Sequence, residues 1–388
     1  MKSNYDALGN YIRLVDTRNT DLVTEQVLGI NIDKYFMPSV ANVIGTDLSK
    51  YKLITKDKFA CNPMHVGRDE RLPVALYTED EPAIVSPAYF MFEIIDNSVL
   101  NEDYLMMWFR RPEFDRLCWL RTDGSVRGGI TWDDICRMKV PVPPLDEQIE
   151  IVQSYQAITD RIALKKRIND NLEATAMSLF KSWFIDYEPF DLNDEGLPVG
   201  WSKTTLDAKL TISTQSVNPQ KLDRNFVWHY SIPAYDSEKL PSKDIPSGIL
   251  SNKYIVPKNA ILVSKLNPDT KRIWRSLPCF ENAICSTEFI IFSANEPTHR
   301  AFYYLLFNTG SFIDFLVSNA TGSTNSRMRV KPASSLDFEF VCPKKEIIDN
   351  FCNIAEPLLQ KIEENFLEIR KLSELIPIAV AKMMTSSR

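Results

Sequence analysis

Asn62, Arg68 and Arg71 fall within thirteen residues of one another in FACNPMHVGRDER, which starts at Phe59, and Lys265, Asn267, Lys271, Arg272 and Arg275 fall within ILVSKLNPDTKRIWR, which starts at Ile261. Arginine and lysine donors can pair with the O6 and N7 atoms of guanine, and the asparagine amide with N6 and N7 of adenine. This mixture therefore suits reading base edges in a major groove, although the same residues also suit a solvated loop. Each loop follows a strand-like run and a Lys-containing turn, Thr55-Lys56-Asp57-Lys58 in one case and Val256-Pro257-Lys258-Asn259 in the other. A second matched pair is RTDGSVRGG from Arg121 and ATGSTNSRMR from Ala320, which place Gly-Ser ahead of Arg127 and Arg327. Those two arginines suit either a phosphate contact or an anchor from globule to helix.

Signatures of catalysis are missing from the sequence. There is no GxxxxGK[ST] phosphate loop, no GxGxxG after a strand, no HExxH and no GxSxG. Asn62-Pro63-Met64-His65 lacks the second proline and the aromatic residue of the Asn-Pro-Pro-aromatic motif of adenine methyltransferases, and twelve glycines in the whole chain leave little for a nucleotide cradle. Seven cysteines without a CxxC pair and three scattered histidines support neither a disulfide framework nor a zinc site. Glu79, Asp80 and Glu81 beside Pro82 read as a solvated turn. The expectation is a binding protein with no cofactor and no metal of its own.

The net charge is −6, whereas phosphate binding usually leaves a basic footprint. Residues 1–145 hold 17 basic and 21 acidic side chains, while 191–343 hold 16 and 15. Any DNA-binding face is therefore local, with a basic partner supplying much of the phosphate contact. Apolar content of 44% and charged content of 25% fit a globular chain with a core. No apolar run approaches the ~18–20 residues of a membrane span, so the sequence predicts a cytoplasmic protein with no membrane partner.

What positions the loops is a duplication. Ala83, Ile84, Ser86, Phe92, Tyr104 and Leu105 recur as Ala283, Ile284, Ser286, Phe292, Tyr304 and Leu305, each two hundred residues on. Such a period is too long for a solenoid and marks a repeated domain. In each copy, short β-branched and aromatic runs bounded by turn residues read as strands, with a helical stretch at Asn101 or Thr298. Beyond Pro143–Pro144 and Pro343 the apolar period changes to alternating steps of four and three. Ile151, Ile158, Ile162, Leu172, Leu179 and Trp183 mark the first seam, and Leu358, Ile362, Ile369, Leu372 and Ile376 the second, with Lys165, Asn169 and Asn365 in polar slots. Two matched helices separated by a globule predict an antiparallel coiled coil, with Lys165 and Asn365 fixing its register. Pro357 and Pro377 predict a kink or fraying in the second helix. The fold class is thus α+β: two similar α/β domains joined and separated by two long paired helices, divided as 1–142, 143–190, 191–342 and 343–388.

The helix end SLFKSWFIDYEPF from Ser178, followed by GLPVGW from Gly196, resembles the junction in specificity subunits of type I restriction-modification systems. KVPVPPLDEQIEIV from Lys139, with Pro143, Pro144, Glu147 and Gln148, and the FACNPM loop are similar to features of the same family, and the resemblance spans the chain. The second copy departs from it, with Lys345-Glu346-Ile347 in place of Glu-Gln and no SWF tail, which sets its docking surface apart from the first. The resemblance implies a target-recognition domain in each copy, each reading half of an interrupted target in double-stranded DNA. It implies helices that set the gap and dock two modification subunits. S-adenosylmethionine would belong to those partners, and ATP and Mg to restriction subunits. Two other classes stay open on the sequence: a protein-only tandem scaffold, and a recognition subunit of a related methyltransferase or restriction enzyme.

Overall fold

The computed structural model describes residues 5–40, 45–64, 66–122, 128–322 and 327–385. Within them the duplication is visible strand by strand. In the first copy Phe59–Cys61 lies between Val74–Leu76 and Phe90–Ile94, with Ile12–Leu14 beyond; in the second, Ile261–Ser264 lies between Ile273–Arg275 and Phe289–Ala294, with Leu210–Ser213 beyond. Both sheets are antiparallel, and the pairing of Phe59 with Phe92 reappears as Ile261 with Phe292. A further sheet also repeats. Val27–Ile30 runs parallel to Ala83–Val85, as Val227–Tyr230 does to Ala283–Cys285. The central strands Phe59–Cys61, Ala83–Val85, Ile261–Ser264 and Ala283–Cys285 are buried at every residue, so their sequences are continuous apolar runs without alternation.

The helical stretches each resolve into two helices. In the first copy Glu102–Phe109 is capped by Asn101, whose Oδ1 accepts from the Tyr104 amide at 3.0 Å, and Pro112 opens Pro112–Trp119 at the one position where its missing N–H costs nothing. The second copy has Arg300–Phe307 and Gly310–Ser318, the latter capped by Thr309. The Lys-containing turns before the basic loops both need a left-handed residue, and Asp57 (φ 64°) and Asn259 (φ 59°) supply it.

The two long helices are Leu145–Phe184 and Lys345–Thr385. The chain forms two compact units, residues up to 161 with 372 onward, and residues 162–371. The four segments drawn from the sequence thus fold as two units, each taking a share of both helices. None of the first helix's seam residues, Ile151, Ile158, Ile162, Leu172, Leu179 and Trp183, is exposed, and none of Leu358, Ile362, Ile369, Leu372 and Ile376 in the second. Within the second unit the helices run antiparallel. Lys165 Nζ donates to Asn365 Oδ1 at 3.0 Å and pairs with Glu368 at 2.7 Å, while the Asn365 amide donates to Asn169 Oδ1 at 2.7 Å. Equivalent positions of the two copies meet at Lys165–Asn365, and away from that point the antiparallel course pairs other residues. Phe180, Trp183 and Phe184 all stack around Phe351, at 5.8, 5.8 and 4.8 Å. In the first unit Val380 packs against the cluster that includes Ile151 and Val152.

Two sequence motifs acquire structural reasons. The SWF and LPxGW residues form one aromatic plug: Trp201 packs on Phe184, Tyr187 and Phe190, and Phe184 on Phe302 at 4.9 Å. Gln148 is fully buried; its Oε1 accepts from the Asn101 amide at 2.9 Å and its amide donates to the carbonyls of Val99 and Pro143, both at 2.8 Å. It clamps the first globule to its helix, and its replacement by buried Ile348 alters that internal joint in the second copy. The fraying expected at the prolines is corrected, since the second helix runs unbroken through Pro357 and Pro377. Both are exposed, where water can satisfy the carbonyls their missing N–H groups leave free.

The polar layer generates a test. Asn365→Leu strands the buried Asn169 carbonyl, while Lys165 keeps Glu368, and should lower the unfolding free energy by about 1–3 kcal/mol. The double variant Asn169→Leu/Asn365→Leu, with no amide left to orphan in this pair, should recover part of that loss in urea titrations.

Candidate nucleic-acid interface

The structure joins the two features that the sequence pairs separately in each copy. In the first, the Gly67 amide donates to the Gly128 carbonyl at 3.0 Å and the Ile130 amide to the Pro63 carbonyl at 3.1 Å, so loop 62–71 lies against the end of the Gly-Ser turn. In the second, the Asn267 amide donates to the Met328 carbonyl at 2.8 Å, the Met328 amide returns to Asn267 Oδ1 at 3.1 Å, and the Val330 amide reaches the Lys265 carbonyl at 3.0 Å. Gly322 is needed there. A Cβ on it would lie 2.6 Å from the Arg327 carbonyl. Loop and turn therefore form one composite surface per copy.

The candidate side chains have different fates. Asn62 and Asn267 are turn-makers: Asn62 Oδ1 accepts from the Met64 amide at 3.1 Å, and Asn267 adopts φ 48°. Arg68 and Arg71 are exposed, Arg68 in a forked pair with Asp69 (2.6 and 2.9 Å) and Arg71 with Asp33 at 3.1 Å. The Asp69 hydrogen bond raises the pKa of Arg68 and fixes its charge. Lys271 and Arg327 are exposed and Lys265 is half-buried. Arg127 lies outside the described residues. Arg272 is 15% exposed and held in a forked pair with Asp236 at 2.7 and 2.9 Å.

Arg275 is a correction. Its guanidinium is buried, bonded to Glu356, and has Nε 2.9 Å from Glu363. Arg300, also buried, donates to the same Glu363 at 2.8 Å and to Asn259 at 3.2 Å. Burial raises the pKa of Glu363 and lowers that of Arg300 to about 10. Arg275 therefore fastens a strand of the second globule to the second long helix and has no face for a base. Its basic neighbours in sequence gave it the look of a loop residue, but its place at the end of strand Ile273–Arg275 turns it inward.

A cleft of about 800 Å³ in the first unit went unread. Arg71 of the basic loop lines it together with Ile32, Arg110, Arg116 and Trp119. Arg110 and Arg116 are exposed, their guanidinium groups have no ion-pair or hydrogen-bond partner among the described residues, and Trp119 is 41% exposed. Helical periodicity accounts for the buried face of these two helices, but nothing in a linear reading shows which outward turn stands beside loop 62–71. Lys34, at the base of the cleft, is buried against Asp115 at 2.6 Å, and burial lowers its pKa. Among the described residues no cluster of His, Cys, Asp or Glu could hold a metal, and no helix is long and apolar enough to cross a membrane.

Comparison with known proteins follows the same lines. No family model matches the chain. The type I restriction enzyme MjaIX specificity subunit of Methanocaldococcus jannaschii is 23% identical over 309 residues, covering 75% of this chain and 70% of that one. The HindI specificity subunit of Haemophilus influenzae is 29% identical over 143 residues, 36% of this chain and 30% of its own. The crystal structure of a type I restriction-modification S subunit from M. genitalium superposes with a TM-score of 0.60 at 13% identity, over 98% of this chain and 96% of that one. The chain is thus similar in sequence to type I specificity subunits. Its α+β fold of two sheet-bearing globules with two long helices is that of the S-subunit structure.

Buried and exposed arginines should part company on substitution. Arg275→Ala removes a buried cation from half-buried Glu356 and Glu363, of which Glu363 keeps Arg300, and should cost about 3 kcal/mol of stability. Arg68→Ala, at the surface, should change it by less than about 0.5 kcal/mol. Chemical denaturation of both variants checks the difference.

Proposed function

We propose that this chain is the sequence-specific DNA-recognition subunit of a type I restriction-modification complex. The observation that carries the reading is the composite loop-and-turn surface present in both copies of a duplicated globule, each attached to a matched long helix. Two similar surfaces in one chain suit a target in two halves. Each globule, a target-recognition domain, reads one half, and the helices set the gap and dock two modification subunits. The chain itself does no chemistry. S-adenosylmethionine belongs to the modification subunits, which methylate adenine, and ATP and Mg serve restriction subunits that translocate and cut. The complex works in the cytoplasm, where chromosomal DNA is its substrate.

Dependence on a basic partner accounts for the electrostatics. Arg68, Arg71 and Arg272 each stand beside a carboxylate, so these three loop arginines offer little free positive charge for phosphate. Affinity then comes from cations elsewhere in the complex, while this chain supplies the choice of sequence.

The test uses purified chain with labelled S-adenosylmethionine and host DNA, with and without its modification subunit. The chain alone should transfer no methyl groups, and the mixture should methylate adenine. Transfer by the chain alone contradicts the division of labour, and failure of the mixture on any DNA contradicts the recognition role.

A further inference from the structure

We infer that the cleft of Arg71, Arg110, Arg116 and Trp119 receives the sugar-phosphate backbone of the DNA bound by the first unit, an inference that rests on the recognition reading above. The cleft is lined by Asp69, Glu70 and Arg71 of loop 62–71, and also by helix Pro112–Trp119 and by Arg110, which caps the end of Glu102–Phe109. A duplex strand lying across that loop would have its backbone beside those helices.

The lining holds four acidic and four basic side chains, and what favours an anion is that two of the basic ones are left without a partner among the described residues. Lys34 is neutralised by Asp115, Arg71 by Asp33 and Arg68 by Asp69. Removing these internal pairs leaves Arg110 and Arg116 facing only Glu70 among the charged lining residues. Exposed guanidinium groups without a carboxylate partner keep all their donors for an incoming group, and their planar fork matches two phosphate oxygens. Trp119 presents an apolar indole face with an N–H donor, a surface suited to a sugar edge.

The contrast between the copies shows that the arrangement is not part of the scaffold. Two hundred residues on from Arg110, Arg116 and Trp119 stand Gly310, Leu316 and Asn319, although both copies have the same two-helix arrangement. The two unpaired arginines are therefore an addition of the first copy. They make backbone binding at the first half of the target stronger and more salt-dependent than at the second.

The experiment measures binding of a fluorescent random-sequence duplex by the full chain together with its modification subunits, across a sodium chloride series. Removing one phosphate-binding cation flattens the slope of log affinity against log salt by about 0.9. Arg110→Gln and Arg116→Gln should each do so. Arg137→Gln, an equal charge change at a 72%-exposed site outside the cleft, should leave the slope unchanged. Trp119→Leu should weaken binding by a similar factor at every salt concentration. Unchanged slopes in both cleft variants of a complex that still binds DNA overturn the inference and leave the recognition reading intact. So does loss of the modification subunits from the variants on gel filtration, which would make the cleft a protein-docking site. A wild-type complex that binds no duplex would instead defeat the recognition reading itself.

Discussion

The seam between the two long helices is the constraint on which the rest depends. A forty-residue helix has an apolar stripe too long for its own globule to cover, and in the second unit the returning helix covers it. Lys165, Asn365 and Asn169 fix the register by hydrogen bonds that have one satisfactory alignment, and Phe351 locks among Phe180, Trp183 and Phe184 at the other end. A slide of one helix turn would part the Asn365 amide from the Asn169 carbonyl and leave both buried and unpaired, at a cost of about 1–3 kcal/mol each. Polar residues in such a seam weaken it relative to leucine but allow few alternatives.

The two copies fasten globule to helix by different chemistry. The first uses a neutral clamp, Gln148 with three backbone partners. The second uses Arg275 and Arg300 against Glu356 and Glu363, with His299 against Asp349 at 2.8 Å. Buried charges stabilise little in net terms, yet each is costly to strip of its partner, so they hold orientation strictly. Divergence between the copies has thus replaced the joint while preserving strand order and helix register.

Much of this was legible in the sequence. The duplication, the runs that form strands at Lys52, Ala83, Ile261 and Ala283, and the heptad positions all follow from local pattern and spacing, because burial on a strand or helix face dictates residue type. The three-residue strands Val74–Leu76 and Ile273–Arg275 did not stand out, being too short to show a period. The same gap hid the fate of Arg275, which reads as the end of a basic loop and lies as the inward end of a strand. Arg110 and Arg116 were invisible for a different reason. Exposed cations on a packed helix look alike in sequence, and only tertiary placement separates those beside a loop from those facing bulk water. Pro357 and Pro377 misled because a proline's cost depends on whether its helix face is buried.

If the seam sets the spacing of the two recognition surfaces, its length is a ruler that can be edited. Facing positions, not positions two hundred residues apart, must be lengthened together: one heptad after Arg161 and one after Lys371, where the chain passes from one compact unit to the other and clear of the Arg275 joint to Glu356 and Glu363. Seven residues add ~10 Å at about 1.5 Å each, or ~3 base pairs at about 3.4 Å per pair along a strand. Mapping methylated adenines in cells carrying this variant is the direct measurement. The account predicts both half-target sequences unchanged with the gap longer by ~3 base pairs, at reduced occupancy because the surfaces also rotate about the duplex. An active variant that methylates with the original gap, or at altered half-targets, would contradict it.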